Sequence, residues 1–131
     1  MASEDIDGGF DSFAAGLRFD GEELRTSVEV LASKLEGALP AHTRVERARE
    51  GLLRRGGQHV QAVLVELAGN RYVLRAGSDR VECYREREVG GISIKRVPLE
   101  PSAWVGALTD DLRAESERSA EAREALARLL A

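Results

Sequence analysis

The chain has one cysteine, Cys83, among its 131 residues. This scarcity excludes an intramolecular disulfide and any metal site built from several cysteines. No apolar stretch approaches the roughly 20 residues needed to span a bilayer, so we expect no integral membrane insertion. A basic segment followed by an apolar run is also missing near residue 1, so the sequence predicts no secretory signal and a cytoplasmic protein.

Aromatic side chains are few, and their placement is uneven. The three phenylalanines all lie in the first twenty residues, at Phe10, Phe13 and Phe19. The other aromatic residues are Tyr72, Tyr84 and Trp104. A chain usually spreads its large aromatics through the helices and strands that form its core. We therefore interpret residues 1–19 as an acidic, flexible leader that docks on this protein or on another.

The leader has a helical spacing of apolar residues. Phe10, Phe13 and Leu17 fall at i, i+3 and i+7, so a helix would place them on one side. Alone, such a helix is too short and too acidic to be stable in water. The predicted partner-binding residues of the leader are Phe10, Phe13, Leu17 and Phe19.

The familiar catalytic and cofactor-binding motifs are missing from the sequence. Residues 51–57 resemble a phosphate-binding loop, but they lack the GxxxxGK[ST] pattern and join two predicted strands. His42, His59 and Cys83 have no spacing typical of a zinc site, and Cys83 is predicted to point into the core. We therefore identify no catalytic, cofactor-binding or metal-ligating residue, and we expect that the protein is not an enzyme.

Charge is unevenly distributed along the chain. Residues 44–97 contain twelve basic and seven acidic side chains, whereas residues 1–36 contain nine acidic and three basic ones. One interpretation is that the acidic ends neutralise the basic middle. The other is that the basic middle binds nucleic acid or another polyanion. The residues assigned to that alternative are Arg54, Arg55, Arg71, Arg75, Arg80 and Tyr84.

Apolar periodicity predicts a helix followed by strands. A capping box of Asp20 and Glu23 predicts a helix start at Asp20, and Gly37 with Pro40 predicts its end. Residues 42–49 are typical of a charged edge strand, and residues 60–67 of a central strand.

Glycines predict the turns of the sheet. Gly69-Asn70 and Gly77-Ser78 predict two tight hairpins, which pair Leu67 with Tyr72 and Tyr72 with Cys83. A third turn is predicted near residues 86–88, and it places Ile94 on the same apolar face as the other strands.

The C-terminal segment predicts one long helix. Pro98 and Pro101 are expected to stop the sheet, and from Ser102 onward strong helix formers dominate. Such a helix would run to roughly 45 Å. A five-stranded sheet is only about 24 Å wide. The last turns of the helix must therefore project beyond the sheet, bend back or meet a partner. The predicted partner-binding residues there are Leu126, Leu129 and Leu130.

These elements predict an α+β two-layer sandwich with an N-terminal helix, about five mostly antiparallel strands and a long C-terminal helix. The predicted globular domain spans residues 20–113, and residues 114–131 extend its last helix. The order of elements resembles, in architecture alone, that of small acidic dimeric chaperone-like and adaptor proteins.

The leading functional hypothesis is a non-catalytic interaction protein, an adaptor or chaperone-like accessory factor that forms a homodimer. Its predicted contacts are the leader and the C-terminal helix. Polyanion binding is the alternative hypothesis. A third, reversible membrane-surface association through the leader, is opposed by the acidic residues around its phenylalanines.

Overall fold

The computed structural model describes residues 23–49, 58–77, 79–89 and 93–131. Within them, three helices and a five-stranded antiparallel sheet confirm the predicted α+β class. The helices are α1 (Leu24–Ala38), α2 (Pro101–Ser116) and α3 (Ala120–Leu130). The strands are β1 (Thr43–Arg49), β2 (Gln58–Leu67), β3 (Asn70–Ala76), β4 (Val81–Val89) and β5 (Ser93–Leu99).

Helix α1 buries the apolar stripe that its sequence predicted. Leu24, Val28, Leu31 and Leu35 are all buried, as expected for residues that recur every three or four positions. The predicted start at Asp20 is wrong, because Glu23 is the N-cap and its side chain makes no capping hydrogen bond. Asp20 itself lies outside the described residues.

The strands form a meander in which each strand pairs with its neighbour in sequence. The β2–β3 loop consists of Ala68 and Gly69, with φ angles of 54° and 79°. Two consecutive positive φ values are typical of a type I′ turn, which fits the twist of a hairpin. The predicted turn at Gly69-Asn70 is therefore wrong, and Val65 rather than Leu67 pairs with Tyr72.

The later hairpins also differ from the predicted registers. Leu74 rather than Tyr72 pairs with Cys83, a shift of two residues that keeps every side chain on its predicted face. The predicted turn at residues 86–88 is wrong, because β4 continues to Val89. Ile94 consequently pairs with Glu88 and is 62% exposed, instead of joining the predicted apolar face.

Two irregularities shape the edges of the sheet. A bulge places Glu46 opposite Ala62 and Arg47 opposite Val60, so Gln61 is the extra residue. Val60 thereby returns to the same face as Val63. Pro98 was expected to end the sheet but lies inside β5, where an edge strand tolerates its missing N–H.

All three helices pack on one face of the sheet, which we call the helix face. The core on this face contains Tyr72, Leu74 and Cys83 from the sheet and Trp104 from α2. The rings of Tyr72 and Trp104 meet edge to face, with centroids 6.1 Å apart. Trp104 is fully buried and thus belongs to the centre of the core.

The single C-terminal helix predicted from the sequence is wrong. Helix α2 ends at Ser116, and Ser119 caps a new helix by accepting a hydrogen bond from the Ala122 amide at 3.2 Å. Helix α3 then folds back and packs against both α1 and α2. The break resolves the length problem, because neither helix overhangs a sheet of about 24 Å.

Candidate interaction surfaces

The predicted leader residues lie outside the described part of the chain. Phe10, Phe13, Leu17 and Phe19 all precede residue 23. Arg54 and Arg55, which belong to the polyanion hypothesis, lie in the undescribed range 50–57. The geometry below therefore concerns the C-terminal leucines and the sheet.

The C-terminal leucines are part of the protein's own core. Leu129 is completely buried, and Leu126 and Leu130 pack half-buried against the same cluster. A partner could reach Leu129 only if α3 left the domain. The structure therefore places all three in intramolecular packing, and their predicted role as partner contacts stays a prediction.

The opposite face of the sheet, which we call the second face, carries an apolar row across the strands. Antiparallel pairing places Leu64 beside Val73 and Val73 beside Tyr84. Arg44 and Pro98 continue the row at its two ends. Neighbouring rows are charged; one contains Glu46 and Arg75, and the other contains Arg71 and Glu86.

Ion pairs occupy Arg71, one of the arginines that were assigned to polyanion binding. An Arg71 Nη atom lies 2.9 Å from a Glu66 carboxylate oxygen and another lies 3.8 Å from Glu86. An Arg96 Nη atom lies 2.8 Å from the second Glu86 oxygen. A phosphate would have to compete with these glutamates for Arg71, which weakens the electrostatic attraction that nucleic-acid binding requires.

Tyr84 is also engaged. The Arg96 guanidinium lies 4.3 Å from the centre of its ring, and the Arg75 Nε–H donates to its hydroxyl at 3.3 Å. A base could stack on this ring only after Arg96 moved away. Arg80, the remaining candidate, is exposed at the end of the β3–β4 hairpin.

The middle of the apolar row is buried. Val73 is 2% exposed and Tyr84 6%, and the adjacent Ala62 is fully buried. None of these three belongs to the core on the helix face. Their burial therefore arises on the second face, away from α1, α2 and α3.

A groove of about 400 Å³ borders the second face near the tip of the β2–β3 hairpin. Its lining combines the hairpin residues Ala68 and Gly69 with charged side chains such as Glu88, and with the exposed Ile94. Most of its described lining residues are polar or charged, and its one large exposed apolar side chain, Ile94, lies at the margin of the second face.

A polar network on the helix face was missed by sequence reasoning. The Tyr72 hydroxyl donates to Asp111, and the Asn70 side-chain amide donates to the same carboxylate oxygen at 2.7 Å. Burial, followed by the hydrogen bond to Asp111, raises the pKa of Tyr72. The network joins α2 to β3, because Asp111 lies on α2 and both Asn70 and Tyr72 lie on β3.

Cys83 is buried in the core, and both ring nitrogens of His42 face polar atoms of the same chain. Burial raises the pKa of the Cys83 thiol to about 12, which leaves the thiol protonated and poorly nucleophilic at neutral pH. The Nδ1 atom of His42 lies 3.1 Å from the main-chain oxygen of Glu66, and its Nε2 atom lies 3.5 Å from Glu121 on α3. In the described segments, no three His, Cys, Asp or Glu side chains cluster as metal ligands.

Comparisons with known proteins give no relative: no protein family, no curated protein and no solved structure matches this chain. The described helices include none that is long and apolar enough to span a membrane.

Proposed function

We propose that this protein is a cytoplasmic, non-catalytic interaction module, an adaptor or chaperone-like accessory protein, which binds a protein partner through its N-terminal leader. The leader's contact residues in this proposal are Phe10, Phe13, Leu17 and Phe19. Because their large apolar rings are surrounded by acidic residues, they would gain most from burial on a complementary surface.

The composition of the core supports this proposal. The helix-face cluster of described residues is built from aliphatic side chains together with Tyr72, Cys83 and Trp104. Every phenylalanine of the chain lies before the first described residue. The leader therefore adds three aromatic side chains to those of the described helix-face cluster.

The packing of α3 narrows the proposed contact surface. Its buried Leu129, and the half-buried Leu126 and Leu130, already contact α1 and α2 within one chain. Exposing them to form a homodimer would cost the apolar burial that they now provide. The proposal therefore assigns recognition to the leader and omits the tail-mediated homodimer.

The roles of the reactive side chains are consistent with a non-catalytic module. Cys83 is a buried thiol whose pKa is raised. Tyr72 and Asp111 hydrogen-bond to each other across the α2–β3 contact. Cys83 thus contributes to core packing, and Tyr72 and Asp111 hold α2 against β3.

A capture experiment with matched variants tests the proposal. The full chain is immobilised as wild type, as the variant Phe10→Ser/Phe13→Ser/Phe19→Ser (the leader variant), and as Val30→Ser. Val30 is an exposed apolar residue of α1, so its replacement controls for a general loss of surface hydrophobicity. We expect wild type and Val30→Ser to retain a partner protein from cell lysate, and we expect the leader variant not to retain it.

A purified component makes the test quantitative. The retained protein is identified by mass spectrometry, purified and titrated with a fluorescent peptide of residues 1–22. We expect saturable binding that the serine-substituted peptide loses. Equal retention by all three baits, or equal binding of both peptides, would remove the leader from the function.

A further inference from the structure

The second face is buried in its centre although the described helices all pack on the helix face. Val73, Tyr84 and Ala62 are at most 6% exposed, and the central strands of a one-sided sheet normally leave such side chains in contact with water. Side chains of neighbouring rows, such as Arg96 over Tyr84, cover part of this surface. A larger apolar cover is needed, because these three buried side chains lie on three adjacent strands, β2, β3 and β4.

We propose that residues 1–22 dock on the second face of the same chain, with Phe10, Phe13 and Leu17 against the apolar row. The proposed docking surface is thus the apolar row of the second face, and it accepts an acidic helix with aromatic residues on one side. This inference goes beyond the proposed function and needs no partner, because it concerns the isolated chain.

The dimensions of the two surfaces agree. On a helix, Phe10 and Leu17 would be about 10 Å apart along the axis, at 1.5 Å per residue. The row from Leu64 to Tyr84 crosses from β2 to β4, which is roughly 10 Å at about 4.8 Å per strand. Three apolar side chains of the leader therefore match three apolar positions of the sheet.

Chain length allows this docking. Helix α1 starts at Leu24 and contacts β1 and β2 on the helix face. Leu17, the last docked residue, is seven positions from Leu24, and an extended chain of that length reaches about 24 Å. Packed layers lie about 10 Å apart, so a leader on the second face would lie about 20 Å from α1, with the sheet between them. The leader can therefore pass the β1 edge and reach the second face.

Charge favours the same occupant. Residues 1–22 contain six acidic and one basic side chain, whereas the rest of the chain contains seventeen acidic and eighteen basic ones. Arg44 at the end of the apolar row and Arg75 beside it are both exposed. Asp7 and Asp11, which flank Phe10, could approach such arginines while the ring contacts the row.

Tyrosine nitration tests the docking because the chain contains only two tyrosines. Tyr72 is fully buried on the helix face and is the internal control, whereas Tyr84 reports on the second face. Wild type and the leader variant are treated with tetranitromethane, and the modified peptides are quantified. We expect protection of both tyrosines in wild type and selective loss of Tyr84 protection in the leader variant.

The proposal would be overturned if Tyr84 were modified in wild type, or if it stayed protected in the leader variant. Protection that is lost in Arg96→Ala but kept in the leader variant would assign the cover to the arginine. Modification of both tyrosines in the leader variant would indicate unfolding, and the following cross-linking measurement then decides.

Disulfide trapping provides that second measurement in a chain with an intact fold. In a Cys83→Ala background, the pair Phe13→Cys and Leu64→Cys is oxidised, and Phe13→Cys with Val30→Cys serves as control. We expect an internal disulfide in the Leu64 pair at the mass of one chain, and much less in the Val30 pair. Equal trapping in both pairs, or only disulfide-linked dimers, would overturn docking within one chain.

These outcomes are distinguishable from failure of the proposed function. Nitration and trapping use the purified chain alone, so they can succeed if no partner exists. Partner capture can succeed if the leader never contacts the sheet. If both succeed, the partner and the second face compete for the same phenylalanines. Added peptide of residues 1–22 should then weaken both the contact of the leader with the partner and its contact with the second face.

Discussion

Replacement of Leu129 by alanine tests whether α3 belongs to the domain. Leu129 is fully buried between α3 and the rest of the core. Leucine-to-alanine changes at such sites cost about 2–5 kcal/mol, since the lost transfer free energy is joined by that of a cavity. We expect Leu129→Ala to lower the free energy of unfolding by about 3 kcal/mol, near the middle of that range.

Leu126→Ala is the matched control for this prediction. Leu126 lies on the same helix but is only half-buried. Both changes remove the same atoms and make the same change in helix propensity, so their difference isolates burial. We expect Leu126→Ala to cost about half as much as Leu129→Ala, on the area scale of apolar burial.

Urea unfolding followed by Trp104 fluorescence measures both variants. Trp104 is buried in the same core, so its emission should report loss of that core. A cost of about 3 kcal/mol should also lower the melting temperature by roughly 12 °C for a domain of this size.

The reasoning has a clear refutation. If Leu129 were in an interface between two chains, its replacement would halve the molecular mass in solution, and wild-type stability would rise with protein concentration. A cost below about 1 kcal/mol, or a larger cost for Leu126→Ala, would also refute the described packing.

Three further predictions use the network, the thiol and the second face. A double-mutant cycle of Tyr72→Phe and Asp111→Ala should give a coupling free energy of about 1–3 kcal/mol in urea unfolding, and additivity would contradict the contact. The raised pKa of Cys83, about 12, means that the unfolded chain releases its proton first. The free energy of unfolding should therefore keep its full value below about pH 9 and fall towards pH 12, by up to about 1.4 kcal/mol per pH unit. If Cys83→Ala left the slope of the free energy of unfolding against pH unchanged between about pH 9 and 10, this prediction would be contradicted. Because glutamates engage Arg71 and Arg96, filter binding of single-stranded nucleic acid should show no salt-sensitive retention, and strong retention that falls with salt would restore the polyanion hypothesis.

The sequence predicted the faces of the sheet better than its registers. The alternation that placed Val63, Val65, Tyr72 and Leu74 on one side survives a two-residue shift, because the side-chain period of a strand is two. The turn itself could not be predicted as easily. Ala68 adopts a positive φ, a conformation for which alanine carries no distinctive signal.

The C-terminal break had a readable signal. Ser119 is a favourable N-cap residue, and Glu121 follows it in the first turn of α3, where acidic side chains suit the positive end of a helix. Strong helix propensity on both sides concealed this start. Residues that interrupt an apolar stripe, such as Ser119, therefore also need to be considered as helix caps.

The network of Tyr72 and Asp111 could not be predicted from the sequence. Strand alternation placed Tyr72 on the core face, but its hydroxyl partner depends on how α2 is positioned over the sheet. That position follows from side-chain packing in three dimensions and leaves no periodic signal. The sequence singled out Arg71, Arg75 and Tyr84 of the second face, whereas the ion pairs and the burial of that face emerged only from the structure.

The contact between α1 and α3 has a consequence for how the protein is made. Lys34 donates a hydrogen bond of 2.7 Å to the main-chain oxygen of Ala131, across 97 positions of sequence. A ribosome synthesises α1 and the whole meander before α3. The nascent chain therefore lacks the packing of α3 against α1 until the last residues are made. During that interval the apolar side chains that α3 covers on α1 and α2 are exposed and vulnerable to aggregation, and a run of slow codons before residue 119 would prolong the exposure.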